Sequence, residues 1–438
     1  MDAALLKVIG GVLTASSVML ASPLMAADVT LSGDSTTILR MRTNTDDNSL
    51  YPAYEYLRLN VDSTLSDGAS VAGRFGTWGR LDFADRSSAR SVDNYSDGSI
   101  QYAYLSYRAA KSNAIVNVGR QFVNEGVAVD TIDGLYLRSD LLGGFGGAAF
   151  VGSKSLPTAL RNHQQNEAFV YGARLTHSMP KYYTIGFSTL HSETDQADTS
   201  RRELGLDLWL HPFAQTDVTG RSSYNDLTGG WMEHSYTLSY TPVNRLRLSL
   251  DVSNANYRHL LSSVTTSALR KLDPNEEVTS VGIAAAYQTP VKNLNITATY
   301  KNYGYSIAGD ANYYGAKATY AIPDIALTAG VGMHRMEGDS AKLRYTETRL
   351  YAGKKYGHVD LAIDFMNSWY DQAINGVHNS LTVLGSAGYE WSKKIKLGAD
   401  LEFSKNPEFN SELRGMLKLS YAFDMNMKLG EGGDKREK

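Results

Sequence analysis

The sequence predicts an all-β chain, a transmembrane antiparallel up-and-down β-barrel of about 22 strands with no separate plug domain. Three observations carry that expectation. Apolar and polar residues alternate with period two along most of the chain. The composition is rich in Tyr (28) and Gly (39), poor in Pro (10) and free of Cys. The connections between alternating segments switch between short and long.

Composition also narrows the function. Lys+Arg total 43 and Asp+Glu 46, a formal charge of −3, which lacks the positive surplus that a nucleic-acid surface needs. Without cysteine there are no disulfides, thiolate zinc sites, iron–sulfur clusters or covalently attached c-type haem. Nothing after the N-terminal segment offers the run of about 20 apolar residues that a membrane helix requires.

Residues 1–27 read as a cleaved secretory signal. Lys7 precedes the apolar stretch Val8–Leu20, Ser22-Pro23 breaks it, and Ala26 and Ala27 are small enough for cleavage. The barrel is expected over residues 28–423, its first strand being Asp28–Arg42. Alternation is plain in Leu57–Val61, Leu204–Leu210, Asn244–Val252, Leu294–Tyr300, His358–Phe365, Ile395–Phe403 and Leu413–Phe423. In Asn244–Val252, for example, Leu246, Leu248, Leu250 and Val252 share one face, and Arg245, Arg247, Ser249 and Asp251 the other. The Gly-rich pair Gly134–Ser139 and Gly147–Ser153 is the weakest; were it folded inward, the strands would number about 20. Both counts are even, so both termini lie on the periplasmic side.

Short turns are expected at Ser66-Asp67-Gly68, Ala110–Asn113, Ser178–Lys181, Pro212–Gln215, Thr241–Asn244, Thr289–Asn293, Ile322–Asp324, Lys355–Gly357 and Ser392-Lys393. Between them come longer polar stretches. These are Thr43–Pro52, Asp82–Gly98, Asn124–Asp133, Ser153–Glu167, Ser192–Ser200, Asn225–Gly230, Asn256–Glu276, Tyr303–Asp310, Met336–Leu343, Tyr370–His378 and Lys405–Asn410. Tight periplasmic turns and longer outer loops are the habit of outer-membrane barrels; a soluble sandwich has no reason to keep that parity. Tyr51, Tyr54, Tyr56, Tyr182, Tyr183, Tyr303, Tyr305, Tyr313, Tyr314, Trp369, Tyr370, Tyr389 and Trp391 sit near strand ends, where an interfacial girdle wants amphipathic rings. The last strand closes on Tyr421-Ala422-Phe423, an aromatic ending suited to the barrel-assembly machinery. A charged flexible tail is expected over 424–438.

The polar faces define the expected lumen lining. Alternation places Arg58, Asn60, Asp62, Glu203 and Asp207 inward. It does the same for Arg245, Arg247, Asp251, Asp360 and Asp364, and for Lys396, Asp400, Glu402, Arg414 and Lys418. Turned to lipid near mid-membrane, each basic member would cost about 2–4 kcal/mol. No catalytic, cofactor or metal site is expected: the nine histidines keep no metal-binding spacing. His177 and His191, near strand ends, are the only hints of a barrel hydrolase.

About 22 strands tilted near 40° enclose a backbone diameter of roughly 45 Å and a lumen of roughly 25 Å. So wide a hole needs either loops folded inward, with Asp82–Gly98, Asn124–Asp133 and Ser153–Glu167 the candidates, or a partner within it.

Several segments carry a family likeness. Gly33-Asp34-Ser35-Thr36-Thr37-Ile38-Leu39-Arg40-Met41-Arg42, Tyr54-Glu55-Tyr56-Leu57 and Trp78-Gly79-Arg80-Leu81-Asp82 are three of them. Val118-Gly119-Arg120-Gln121-Phe122 with Asp133-Gly134-Leu135 is the fourth. Together they resemble the porin-like outer-membrane component of porin–cytochrome conduits in metal-reducing bacteria. The resemblance implies a barrel that sheathes a multihaem c-type cytochrome for extracellular electron transfer. The haems would belong to the partner, since this chain has no Cys. The alternative is a passive diffusion porin for small hydrophilic solutes or ions. Either way the surroundings are outer-membrane lipid, with no nucleic acid.

Overall fold

Period-two alternation gives each segment one oily and one wet face, and strands of that kind can cross a bilayer only as a closed ring. The structure, a computed structural model, describes residues 26–43, 49–83, 96–155, 169–193, 200–261 and 272–427. The expected signal (up to residue 25), most of the five longest connections, and residues 428–438 of the tail lie outside the described residues.

Twenty-two wall strands follow one another around the ring. They are β1 (Ala26–Thr43), β2 (Pro52–Leu65), β3 (Ser70–Asp82), β4 (Ser96–Arg108), β5 (Ile115–Glu125), β6 (Ala128–Asp140), β7 (Phe145–Lys154) and β8 (Phe169–Met179). Then come β9 (Tyr183–Glu193), β10 (Arg201–Phe213), β11 (Thr216–Asn225), β12 (Gly230–Val243), β13 (Leu246–Asn256), β14 (Glu277–Gln288) and β15 (Leu294–Tyr305). The ring continues through β16 (Gly309–Ile322), β17 (Leu327–Gly338), β18 (Tyr345–Tyr356), β19 (Val359–Ile374), β20 (Val377–Glu390), β21 (Ile395–Asn406) and β22 (Phe409–Met427). A two-residue piece, Ser49–Leu50, pairs with the end of β1 and lies outside this count. Every neighbouring pair is antiparallel, and β1 pairs with β22 from Val29↔Met427 to Met41↔Gly415, which closes the barrel.

The Gly-rich pair belongs to the wall, as β6 and β7, so the smaller strand count does not apply. The wall extends to Met427, past the Phe423 boundary, because β1 offers partners down to Val29.

Short turns occupy one end of the barrel as expected. At Ser66-Asp67-Gly68, Gly68 takes a φ of +85° and the Asp67 carboxylate accepts the Ala69 N–H at 2.9 Å. The other end is mixed. Six stretches read as long loops are tight hairpins: the strands resume after Gly126-Val127, 226–229, 306–308, 339–344, Asn375-Gly376 and Pro407-Glu408. The strands overshoot because hairpin pairing outlasts the membrane. A span needs only about 9–11 residues, while β19 has 16 and β22 has 19. Beyond the hydrocarbon both faces turn polar, and the apolar alternation that marks a strand in sequence fades.

The outer surface is apolar and open. Leu105, Phe187, Leu206, Ile283, Val331, Ile363, Leu401 and Leu417 are all exposed. In a water-soluble protein such a belt would be an aggregation surface; here it is the lipid-facing band.

Candidate functional site: the lumen wall

Register assigns the inner face strand by strand, since directly paired residues share a face. Arg58 pairs with Asp34 across β1–β2, and its guanidinium meets that carboxylate at 2.8 Å. Asp62 accepts from Arg74 at 2.5 Å, beside Asn60 on the same face. Arg247 donates to Ser239 Oγ at 3.0 Å, and Asp251 accepts from Thr237 Oγ1 at 2.6 Å. Asp364 is paired with Arg349, and Asp360 lies 3.9 Å from Lys355. Lys396 meets Glu390 at 3.2 Å; Arg414 bridges Glu412 (2.5 Å) and Glu402 (3.7 Å). Asp400 and Lys418 sit opposite Ser386 and Gly398 on that wall. Arg245 departs from the expected pattern. It lies in the two-residue turn between β12 and β13, because Val243 pairs with Leu246 and closes the hairpin around it. These residues spread around the ring and form no single cluster.

One cluster does form, on β5–β10, where the β5–β6 hairpin leaves the wall. β4 and β5 pair only from Arg108↔Ile115 to Ala103↔Arg120. At Gly119 the chain takes a φ of +123°, where an added Cβ would stand 2.3 Å from the Ala103 carbonyl oxygen. Beyond that point β5 pairs with β6 alone, up to Glu125↔Ala128. The tip reaches past β7 and β8 to β9, three strands further along the wall: the Val127 N–H donates to Ser188 Oγ at 3.1 Å. Ser188 points away from its exposed neighbour Phe187, so the hairpin lies on the lumen side.

Two forces hold it there. Val123, Ala128 and Ile132 pack with Phe150, Val170 and Leu190 of the wall, each at most 4% exposed. Around this core runs a charge-balanced network. Glu125 takes Tyr136 Oη at 2.6 Å, Arg174 at 3.3 Å and Arg138 at 3.4 Å, and Arg174 also holds Asp207. Asp130 takes Arg201 at 2.9 Å and Lys154 at 3.1 Å, and Arg201 also grips Glu203 at 2.7 Å. Of the expected lumen residues, Glu203 and Asp207 therefore serve as anchors. The hairpin's other face carries the exposed Phe122 and Val129. Its charges are consumed on the wall side, so the surface it offers to the lumen, where Phe122 pairs with Thr131 and Asn124 with Val129, carries no charge.

Many tyrosines expected in the girdle line the lumen instead. Tyr54 and Tyr56 share parity with Arg58; their rings stack 6.4 Å apart, and Trp78 lies 6.5 Å from Tyr54. Across the barrel Tyr303 stacks on Tyr305 at 5.9 Å, Tyr313 on His334 at 5.1 Å, and Tyr345 meets Tyr370 at 6.1 Å. The physical reason is pairing. Tyr303 and Tyr313 share the parity of Lys301 and Lys317, not of the outward Tyr300 and Tyr314. Tyr51, Tyr182, Tyr314, Trp369, Tyr389 and Trp391 are outward and exposed, as an interfacial girdle needs. Tyr183 packs against His177, its Oη 3.1 Å from Nδ1.

Sequence reasoning missed Arg40, Arg74, Arg80, Arg108 and Arg138. A parity count from Arg58 through the tight turns would have found the second and third. Among the described residues no group of three or more His, Asp or Glu could hold a metal ion. His177 and His191 lie toward opposite ends of the wall: His177 is near the short turn after β8, and His191 pairs with Glu193 at the far end of β9.

No protein-family model matches the chain, and no curated protein does. Solved structures do resemble it. A mutant form of the Pseudomonas aeruginosa ferric enterobactin receptor PfeA aligns over 90% of this chain and 80% of its own, with 11% identity and a TM-score of 0.56. The fold is that of a bacterial outer-membrane β-barrel. Acinetobacter baumannii OccAB4 aligns over 92% of this chain and all of its own, at 10% identity and a TM-score of 0.47. Pseudomonas aeruginosa OccK5 (OpdH) aligns over 91% and 98%, at 12% identity and a TM-score of 0.45.

Proposed function

We propose that the barrel is an outer-membrane channel through which small hydrophilic solutes and ions diffuse. The observation that carries this reading is the hairpin Gln121–Ile132, laid against the inner wall by a buried core and a balanced ion network. A hairpin so placed narrows a wide lumen without filling it, which is what a diffusion channel needs. The wall around it is charged with both signs and wet. The same geometry supports a second reading. A lumen of roughly 25 Å, entered by one short hairpin among the described residues, leaves room for a protein. The sequence resemblance names a multihaem c-type cytochrome as that occupant, sheathed by the barrel.

One preparation separates the two. The protein is extracted from native outer membrane in mild detergent, stained for haem after electrophoresis, and reconstituted into planar bilayers. A barrel that purifies alone and gives steady single-channel currents supports the diffusion channel. Co-purifying haem-bearing chains, with currents seen only after the partner is stripped, would overturn it in favour of the sheath.

A further inference from the structure

We propose that the barrel carries a side portal between β4 and β5, through which single-chain amphiphiles pass between the lumen and the outer leaflet of the membrane. This goes beyond the diffusion reading and stands whether or not water-soluble solutes cross from end to end. The observation behind it is a ladder that stops early. β4 and β5 are paired over six residues, Ala103–Arg108 against Ile115–Arg120, beginning beside the short turn. A strand needs about 9–11 residues to cross the hydrocarbon, so this ladder ends inside the membrane. β4 nevertheless runs on toward the long-loop end, paired with β3 alone as far as Leu81↔Ser96. β5 runs on paired with β6 alone, as far as Glu125↔Ala128. Among the described residues no strand pairs with the facing edges of 96–102 and 121–125. A slit therefore opens in the wall on its long-loop side, and it begins within the thickness of the bilayer.

The surface beside the slit leads from lipid to lumen. Directly paired residues share a face, so Val118↔Leu135, Arg120↔Asp133, Phe122↔Thr131 and Asn124↔Val129 form one continuous strip along the β5–β6 hairpin. At Val118 the strip belongs to the exposed, lipid-facing band. Past Gly119 the hairpin turns inward, and at Phe122 and Val129 the same strip lies exposed on the lumen side. Its one charged step is neutral as a pair, because Arg120 holds Asp133 through two bonds of 2.6 Å. A further donor of that guanidinium reaches across to the Ile100 carbonyl oxygen of β4 at 3.0 Å. Unpaired backbone groups facing hydrocarbon cost several kcal/mol each. Arg120 thus satisfies one of them and ties the two edges together at the corner where the ladder stops. A strip of this kind suits a solute with one alkyl tail and a small polar head. The tail lies along Val118, Phe122 and Val129, and the head meets the Arg120–Asp133 pair. Apolar rings and branches exposed inside a wet lumen have no use for a purely hydrophilic solute.

The chain has no cysteine, so one introduced cysteine carries one fluorophore. The full chain is reconstituted into phosphatidylcholine vesicles with a bimane on Phe122→Cys, Val118→Cys or Ser386→Cys. Ser386 pairs with Asp400 on the inner face of β20, away from the slit. Stearate bearing a spin label on its tail is then added to the bilayer. It should quench the probe at 122 as strongly as the one at 118 and leave the one at 386 bright. Phosphatidylcholine carrying the same label stays in the bilayer and should quench the probe at 118 alone. Arg120→Gln together with Asp133→Asn removes the tie without stranding a charge, and should speed stearate quenching at 122 about fivefold, the worth of one hydrogen bond. Val129→Cys takes the place of Phe122→Cys if that variant fails to give the folded, heat-modifiable band in gels. Equal quenching at 122 and 386 would mean that stearate arrives through the open ends. No quenching at 122 would mean that the slit is shut, and quenching there by the labelled phosphatidylcholine that the residue stands in lipid. Each of these, or an unchanged rate in the double variant, would overturn the portal. Planar-bilayer currents report on the channel reading separately, and their absence leaves the quenching result standing.

Discussion

At the scale of single residues, one carboxylate just outside the wall ties two outer connections together. Glu276 is buried one residue before β14 and accepts from Ser306 Oγ and the Ile307 N–H, both at 2.9 Å, and from the Ala308 N–H at 3.2 Å. Burial by itself would raise its pKa, but these donors outweigh it and hold the carboxyl below the ordinary glutamate range. A folded pKa below the unfolded one stabilises the tie above the unfolded value, and the stabilisation is lost as pH falls through the folded value. Hydrogen-exchange protection of the 307 and 308 amides should therefore hold at neutral pH and collapse below about pH 4. Glu276→Gln, which keeps one acceptor and loses the charge, should show weaker protection that no longer follows pH. Wild-type protection that stayed flat down to pH 3 would refute the tie.

At the scale of elements, the β5–β6 hairpin is the piece whose position decides the width of the lumen. Its grip depends on Glu125, whose side chain is only 4% exposed and serves three donors. Breaking a buried ion pair by neutralising one partner typically costs about 3–5 kcal/mol, of the same order as the burial of Val123 and Ile132 contributes. Glu125→Gln should make single-channel currents flicker toward a wider level while the barrel remains closed. Conductance indistinguishable from wild type would mean that the hairpin does not limit flow. The same element marks the boundary of what sequence could tell. Asn124–Asp133 was legible as a candidate to fold inward, but as a loop rather than as two strands around Gly126-Val127. Its buried face mixes Val123, Ala128 and Ile132 with Gln121, Glu125 and Asp130, while apolar Phe122 and Val129 stand on the other, so its pattern does not say which face meets the wall. The deciding feature is Gly119, whose left-handed φ shows only in the folded chain. Other misreadings were avoidable. Asn375-Gly376, with φ of +50° and +78°, is a two-residue hairpin signal that stood inside a stretch read as a long loop. Tyr54 and Tyr56 could not belong to the girdle if Arg58, at the same parity, faced water.

At the scale of the whole molecule, everything depends on the ring being closed by its first and last strands. An open sheet of this length would leave a row of unpaired N–H and C=O groups along β1 and β22 in hydrocarbon, each costing several kcal/mol. Closure brings residues 384 apart into contact: Thr36 pairs with Ser420, and their hydroxyls lie 3.2 Å apart on the lumen side. Directly opposed residues of an antiparallel ladder have Cα atoms about 4.5–5.5 Å apart, within the reach of a disulfide. Because the chain has no cysteine of its own, Thr36→Cys with Ser420→Cys creates a single, unambiguous pair. Mild oxidation of the purified, detergent-held double variant should give an intrachain bond that speeds migration of the denatured chain in a non-reducing gel. Shifting one partner by a residue, as in Thr36→Cys with Leu419→Cys, turns the second side chain to the lipid face and should abolish most of the cross-link. Equal cross-linking in both registers, or dimers only, would mean that β1 and β22 do not meet in the register that makes the barrel whole.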